Sequence, residues 1–179
     1  MKLKTGTAFV IMIVLVIGSV LFGAYRGWSG EKARVDETYT GLESMLQTRV
    51  ETAYNVLAVA RRYLPETDSA FQKVAMDRDQ LENPYATLHR KATANEDLSR
   101  DAAALLKALG DMDAVKRDSR DSMYVNNYLP QMLSESEAKT AGAVYNQAAA
   151  EFNKRLNSTF SGFLAKILGV KHAEVFSAQ

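Results

Sequence analysis

No cysteine occurs in the 179 residues. That excludes disulfides, thiolate catalysis, cysteine zinc sites and a lipid-modified N-terminal cysteine together. Histidine is almost as scarce. His89 and His172 are far apart, and three residues before them stand Ala86 and Gly169, so the Glu-x-x-His pairs of a di-iron bundle are missing. His-Glu-x-x-His is absent as well. The ten glycines form neither a phosphate loop nor a dinucleotide fingerprint, and no Gly-x-Ser-x-Gly occurs. Without such arrangements no catalytic, cofactor-binding or metal-binding residue is assigned, no cofactor is expected, and the chain does not read as an enzyme. Strand-type alternation is nearly absent too. The three prolines, Pro65, Pro84 and Pro130, each stand where a helix would begin or end.

What the chain does have is an early apolar run. From Thr5 to Tyr25, 21 residues carry no charge. As a helix this run spans roughly 30 Å, the thickness of a bilayer's hydrocarbon core. A cleaved secretory signal would need a shorter run and small residues around the cleavage site, yet Phe22 stands two residues before Ala24. Pseudopilins carry a glutamate near the start of such a helix, whereas no acidic residue precedes Glu31 here. The run is therefore expected to be an uncleaved single-pass anchor, residues 5–25, behind a short basic N-terminus, residues 1–4. Tyr25, Arg26 and Trp28 are the types that settle at headgroup level. Flanking charge does not choose an orientation: Lys2, Lys4 and the α-amino group face Arg26, Lys32 and Arg34. The layout of a signal anchor places the C-terminal part outside the cytoplasm.

Residues 31–179 have the length of one domain. Removing Lys2, Lys4 and Arg26 from 22 basic residues leaves 19 against 21 acidic ones, a net charge of −2. Such a domain has no basic face for nucleic acid. Val35, Tyr39, Leu42, Leu46, Ala53, Val56, Leu57, Ala60 and Leu64 form a stripe at three- and four-residue spacing, a helix stopped by Pro65 and separated from the anchor by Ser29 and Gly30 alone. A second helical stretch follows with Thr67 or Asp68 as N-cap and restarts at Asn83-Pro84. It runs on through Leu109 to Gly110, expected to be a left-handed terminator. Residues 111–121 read as the main loop, and 123–129 as a short turn weakened by Asn126-Asn127 and Pro130. A third long helix runs from Gln131 through Leu133, Ala141, Val144, Tyr145, Ala148, Ala149, Phe152 and Leu156. Phe160, Phe163, Leu164, Ile167 and Leu168 form a further apolar cluster. The expected fold is all-α: the transmembrane helix followed by an elongated antiparallel three- to four-helix bundle with coiled-coil-like packing.

Two features stand out. Arg49 falls at seven-residue spacing with Leu42, Val56 and Tyr63, where an apolar side chain would be usual. It either snorkels from the stripe's edge or forms a buried ion pair that sets helix register, with Glu135 or Glu151 as candidate acids. The second is the repeated aromatic-Asn dipeptide, Tyr145-Asn146 and Phe152-Asn153, one heptad apart. The rings read as core knobs, and the amides as seam-border groups bonding a neighbouring helix. The other reading is a peptide or lipid contact.

The segment YNQAAAEFNKRLNSTFSGFLAKILGVKHAEVF resembles the C-terminal signature of the LemA family. Tyr145, Asn146, Phe152 and Asn153 match its two aromatic-Asn pairs, and Leu164, Ala165, Gly169, Lys171, Glu174 and Phe176 match its later part. In VDETYTGLESMLQTRVETAYNVLAVARRYL, Tyr39, Leu46, Arg49, Asn55 and Tyr63 stand at corresponding places. The chain departs from the pattern in three places. Thr159-Phe160-Ser161-Gly162 replaces a proline-containing element, Val170 an aromatic, and Gly142-Ala143 stand where basic residues are common. It would be a divergent bacterial member. The resemblance implies a single-pass membrane protein with a helical-bundle domain, no enzyme and no cofactor, in a family whose biochemical role is itself undefined. The expected partners are the lipid bilayer and other proteins, a second copy of the chain included. The expected role is an envelope scaffold or adaptor. The alternative is a ligand-binding sensor module, disfavoured because no second span or following domain is there to receive a signal.

Overall fold

The computed structural model describes residues 5–136 and 139–178. The basic N-terminus, residues 1–4, and the side chain of the stripe residue Ala141 lie outside the described residues. All regular elements among the described residues are helical: α1 (Thr5–Ala60), α2 (Ser69–Glu82), α3 (Leu88–Asp111), α4 (Asp113–Arg117), α5 (Ser119–Met123), a π-helical turn (Tyr124–Tyr128), α6 (Leu129–Glu135), α7 (Lys139–Ser158) and α8 (Phe160–Ile167). The chain is all-α, a long apolar N-terminal helix followed by packed helices.

Ser29 and Gly30 do not interrupt α1, which is one helix of 56 residues. A lone helical glycine costs only about 1 kcal/mol, too little to end a helix with good formers on both sides. α1 stops at Ala60 because Pro65 pushes Leu64 out of the helical region. The last turn tightens, with Arg62 N–H bonding the Val59 carbonyl at 3.1 Å. Phe9, Leu15 and Phe22 are 59%, 65% and 65% exposed, and α1 is the one described helix long and apolar enough to cross a membrane.

The chain divides into two compact units, Met1–Thr38 with Gln147–Ala173, and Tyr39–Asn146 with Glu174–Gln179. In the first, Trp28, Val35, Ala149, Phe152, Leu156, Ala165 and Val170 are buried. The rings of Trp28 and Phe152 meet edge-on at 5.8 Å. Arg155 lies over the Trp28 ring and donates to both Glu31 oxygens at 2.8 and 3.0 Å. α8 is capped by Thr159, whose Oγ1 accepts from Gly162 N–H at 3.0 Å. It passes so close to α7 that a Cβ on Gly162 would lie 2.3 Å from the Leu156 carbonyl oxygen. Gly169, at φ +94°, ends α8. The Gly169 N–H bonds Lys166 O and the Val170 N–H bonds Ala165 O, both at 3.0 Å. This is the Schellman pattern that needs a left-handed residue.

In the second unit the core is built from Leu42, Leu46, Val56 and Leu57 of α1, Phe71, Val74 and Leu81 of α2, Leu98, Leu105 and Leu109 of α3, and Val125, Leu129 and Leu133. Arg49 reaches Asn95 and Leu133 while Arg62 reaches Asp121. Hence the stretch from α5 to α6 runs against α1. It runs against α3 as well, since Asn95 and Leu133 share Arg49 while Gly110 lies against Asn126, so α3 runs with α1.

The structure corrects four expectations here. Asp68 caps α2, but the next helix starts at Leu88 under a Thr87 cap, not at Pro84. Asn83 instead bonds the Tyr85 N–H at 2.9 Å and holds a turn. Gly110 is not left-handed, since Gly169 is the one positive-φ residue among those described. Gly110 is helical, and a Cβ there would lie 2.6 Å from Asn126 Oδ1. Residues 111–121 are not a loop. They hold α4, whose Val115 is fully buried, and the start of α5, capped by the Asp118 carboxylate on the Arg120 and Asp121 N–H groups. Charge density hid two short helices pinned by a single apolar residue and one cap. Finally, the helix expected from Gln131 ends at Glu135, and α7 begins at Lys139, with 137–138 outside the described residues.

Candidate functional site

Arg49 is fully buried. Its guanidinium donates to Leu133 O at 2.8 Å, Asn95 O at 3.0 Å and Ser99 Oγ at 2.6 Å. The snorkelling alternative does not hold. Arginine suits this place because its planar fork of donors meets several acceptors at once. Glu135, one candidate acid, accepts from Gln131 at 2.7 Å, and Glu151, the other, from Gln147 at 3.2 Å, each along its own helix.

The aromatic-Asn pairs hold the extended chain that follows α8. In the second unit, Asn146 Oδ1 accepts from the Phe176 N–H at 2.8 Å while its Nδ2 donates to the Phe176 carbonyl at 2.6 Å. The Tyr145 hydroxyl donates to the Glu174 carbonyl at 2.6 Å, and the Tyr145 and Tyr39 rings meet at 5.8 Å. Gly142 leaves room for the Phe176 ring, which a Cβ would approach to 3.0 Å. In the first unit, Asn153 makes the same two bonds to Ala173, at 2.8 and 2.9 Å. The expected partner was a neighbouring helix. The actual partner is extended backbone, because a strand-like segment without a sheet has a free N–H and C=O at each residue, and a carboxamide offers one acceptor and two donors to match. Tyr145 and Phe152 are buried, as core knobs would be. Asn55 and Lys171 are exposed on the surface, and Gly169 is the left-handed residue described above.

A polar node the sequence reading missed lies around Asp121. Its carboxylate, 3% exposed, accepts from Arg62 Nη1 at 2.8 and 3.0 Å and from the Tyr63 hydroxyl at 2.7 Å. The Tyr63 hydrogen bond, then Arg62, holds the Asp121 carboxyl below its usual range against the opposing effect of burial. The same bond, with burial, pushes Tyr63 up to about 12. Elsewhere Asp77 is raised to about 6 by burial and by Asp101 and Asp97.

The π-helical turn precedes Pro130, which has no N–H to give the Asn126 carbonyl. The Leu129 N–H reaches back to Tyr124 O instead. This register exposes a stripe at four-residue spacing: Arg120, Tyr124, Tyr128 and Met132. The tyrosine rings lie 5.6 Å apart, and Arg120 is 5.9 Å from the Tyr124 ring. Beside the turn is a cavity of about 400 Å³ lined by Ser99, Leu106, Lys107, Val125, Asn126 and Leu133 among others. The histidines bond other groups: His89 Nδ1 lies 2.8 Å from Ser177 O, and His172 Nε2 lies 2.9 Å from Asn157 Oδ1. Among the described residues no three or more histidine or carboxylate side chains gather as a metal site.

Comparison with curated proteins finds no match. The model of the LemA family matches residues 38–179, most of the chain, and the protein belongs to the LemA family.

Proposed function

We propose that this LemA family member is a single-pass membrane adaptor. In this reading the first turns of α1 cross the bilayer, and the helices that follow offer a surface to other proteins, without chemistry of their own. The observation that carries it is the exposed Arg120–Tyr124–Tyr128–Met132 stripe on a chain whose α1 also has an uncovered apolar run. Arginine, tyrosine and methionine are the types that protein interfaces favour, and exposed apolar side chains in a row are otherwise a liability. Two measurements test the reading. Alkaline carbonate should leave the protein in the membrane pellet, and its release would remove the anchor. A photoreactive residue at position 128, activated in intact membranes, should yield a discrete adduct that Tyr124→Asp or Met132→Asp abolishes. Loss of neither, or no adduct at all, would refute the contact surface.

A sensor that binds a small ligand is the second reading, favoured by the cavity beside Ser99, whose volume of about 400 Å³ suits a small organic molecule. Ala103 lines that cavity too, and Ala103→Phe, which places a ring in it, separates the two. It should leave the position-128 adduct intact if the protein is an adaptor and change it if a ligand controls the surface.

A further inference from the structure

Helix α8 turns its burial inside out. Gly162 and Ala165 face the protein interior, while Phe160, Phe163 and Ile167 are 76%, 54% and 66% exposed. Their spacing puts the three large side chains on one face. The smallest residues pack, and the largest face outward, the reverse of what water favours.

The position of this face is set within the first unit. The Trp28 indole N–H donates to Ser161 Oγ at 3.3 Å, so the start of α8 lies beside α1 at residue 28. Trp28 follows Tyr25, the last residue of the uncharged run, by three residues, or about 4.5 Å along the helix. A headgroup layer is several ångströms deep beyond the hydrocarbon. α8 is thus held at the depth where headgroups meet acyl chains, if the run is the span. The charge agrees: α8 carries Lys166 and no carboxylate, Lys154 and Lys171 flank it in the chain, and Arg155 is matched by Glu31. Amphipathic helices with this combination settle at anionic lipid surfaces.

We propose that α8 is an interfacial helix, a second membrane contact in which Phe160, Phe163 and Ile167 enter the lipid surface and the lysines meet lipid phosphates. The inference rests on the reading of residues 5–25 as the span. The absence of cysteine makes the test direct, because one introduced cysteine is the only thiol in the chain. The full chain is reconstituted in phosphatidylcholine–phosphatidylglycerol vesicles with an environment-sensitive dye at Phe163→Cys, Ile167→Cys, Leu15→Cys or Glu37→Cys, and quenched by nitroxides placed at set depths in the lipid. Glu37, exposed on α1 and about 18 Å past Tyr25 along the helix, is the solvent reference.

The expected result is deep quenching at position 15, shallow quenching with blue-shifted emission at 163 and 167, and none at 37. Quenching at 15 with 163 and 167 resembling 37 overturns the interfacial helix and leaves the span standing. Blue-shifted emission at 163 without lipid quenching also overturns it, since a protein surface then covers the face. No quenching at 15 overturns the span, and with it this placement of α8.

Discussion

Asn146 holds Phe176 by both sides of its peptide backbone, accepting from the N–H at 2.8 Å and donating to the carbonyl at 2.6 Å. Asn153 repeats this on Ala173. The amides stand seven residues apart on α7, about 10.5 Å, and their partners three apart in extended chain, about 9–10 Å. The repeat of the dipeptide is thus matched to the repeat of an extended backbone, whose Ala173 and Phe176 side chains are themselves buried.

Asn146→Ala and Asn153→Ala should therefore each lower stability by about 1–3 kcal/mol, because a part-buried N–H and C=O lose their partner. Asn→Asp, which removes the donor, should not rescue. Denaturant midpoints of the four variants check this, and midpoints equal to wild type would mean the clamps hold nothing.

Phe152→Ala and Tyr145→Ala should cost more, on the order of 3–5 kcal/mol, through lost burial and the cavity left behind. Phe152 loses its contact with Trp28, and Tyr145 its contact with Tyr39 and its bond to Glu174. Chemical denaturation should rank both below the asparagine variants.

Arg49→Lys should destabilise by roughly 1.5–3 kcal/mol, since a point ammonium cannot meet the acceptors on Leu133, Asn95 and Ser99 at once. An unchanged melting temperature would show that charge alone, without the fork, suffices.

Two glycine substitutions should have opposite signs. Gly162→Ala drives a Cβ into the Leu156 backbone and should cost about 1–3 kcal/mol. Gly41→Ala meets nothing within 4 Å in the middle of α1 and should stabilise by roughly 0.5–1 kcal/mol. Thermal melts of both variants read the difference.

Stability should respond to pH in two opposed ways. Asp77, raised from 3.8 to about 6, binds its proton more tightly folded than unfolded, so its contribution is full below 3.8 and is lost as pH rises through 6. Asp77→Asn should flatten that decline and stabilise the protein at neutral pH. Asp121, held below 3.8, contributes above that value and loses its contribution as pH falls through its folded range. Asp121→Asn should weaken the acid-side loss. Unfolding free energies measured from pH 3 to 8 separate the two.

Several features were legible in the sequence because they depend on residues near one another in the chain. Periodic apolar side chains mark helices whatever they pack against, an aspartate before Ser69 caps the helix it precedes, and 21 uncharged residues make a run whose length alone suits a bilayer. The heptad spacing of Tyr145 and Phe152 was equally visible. Other features depend on contacts far along the chain, and only the tertiary structure decided them. Arg49 has one sequence context but needed α3 and Leu133 to become buried. Gly110 looked like a helix terminator and is a gap for Asn126. Asn146 and Asn153 bond an extended segment that no helical period announces. The outward face of α8 carries the same apolar residues as a core helix. Its outward placement follows from Gly162 and Ala165 taking the inward positions, with Trp28 fixing the start of the helix beside the end of the apolar run.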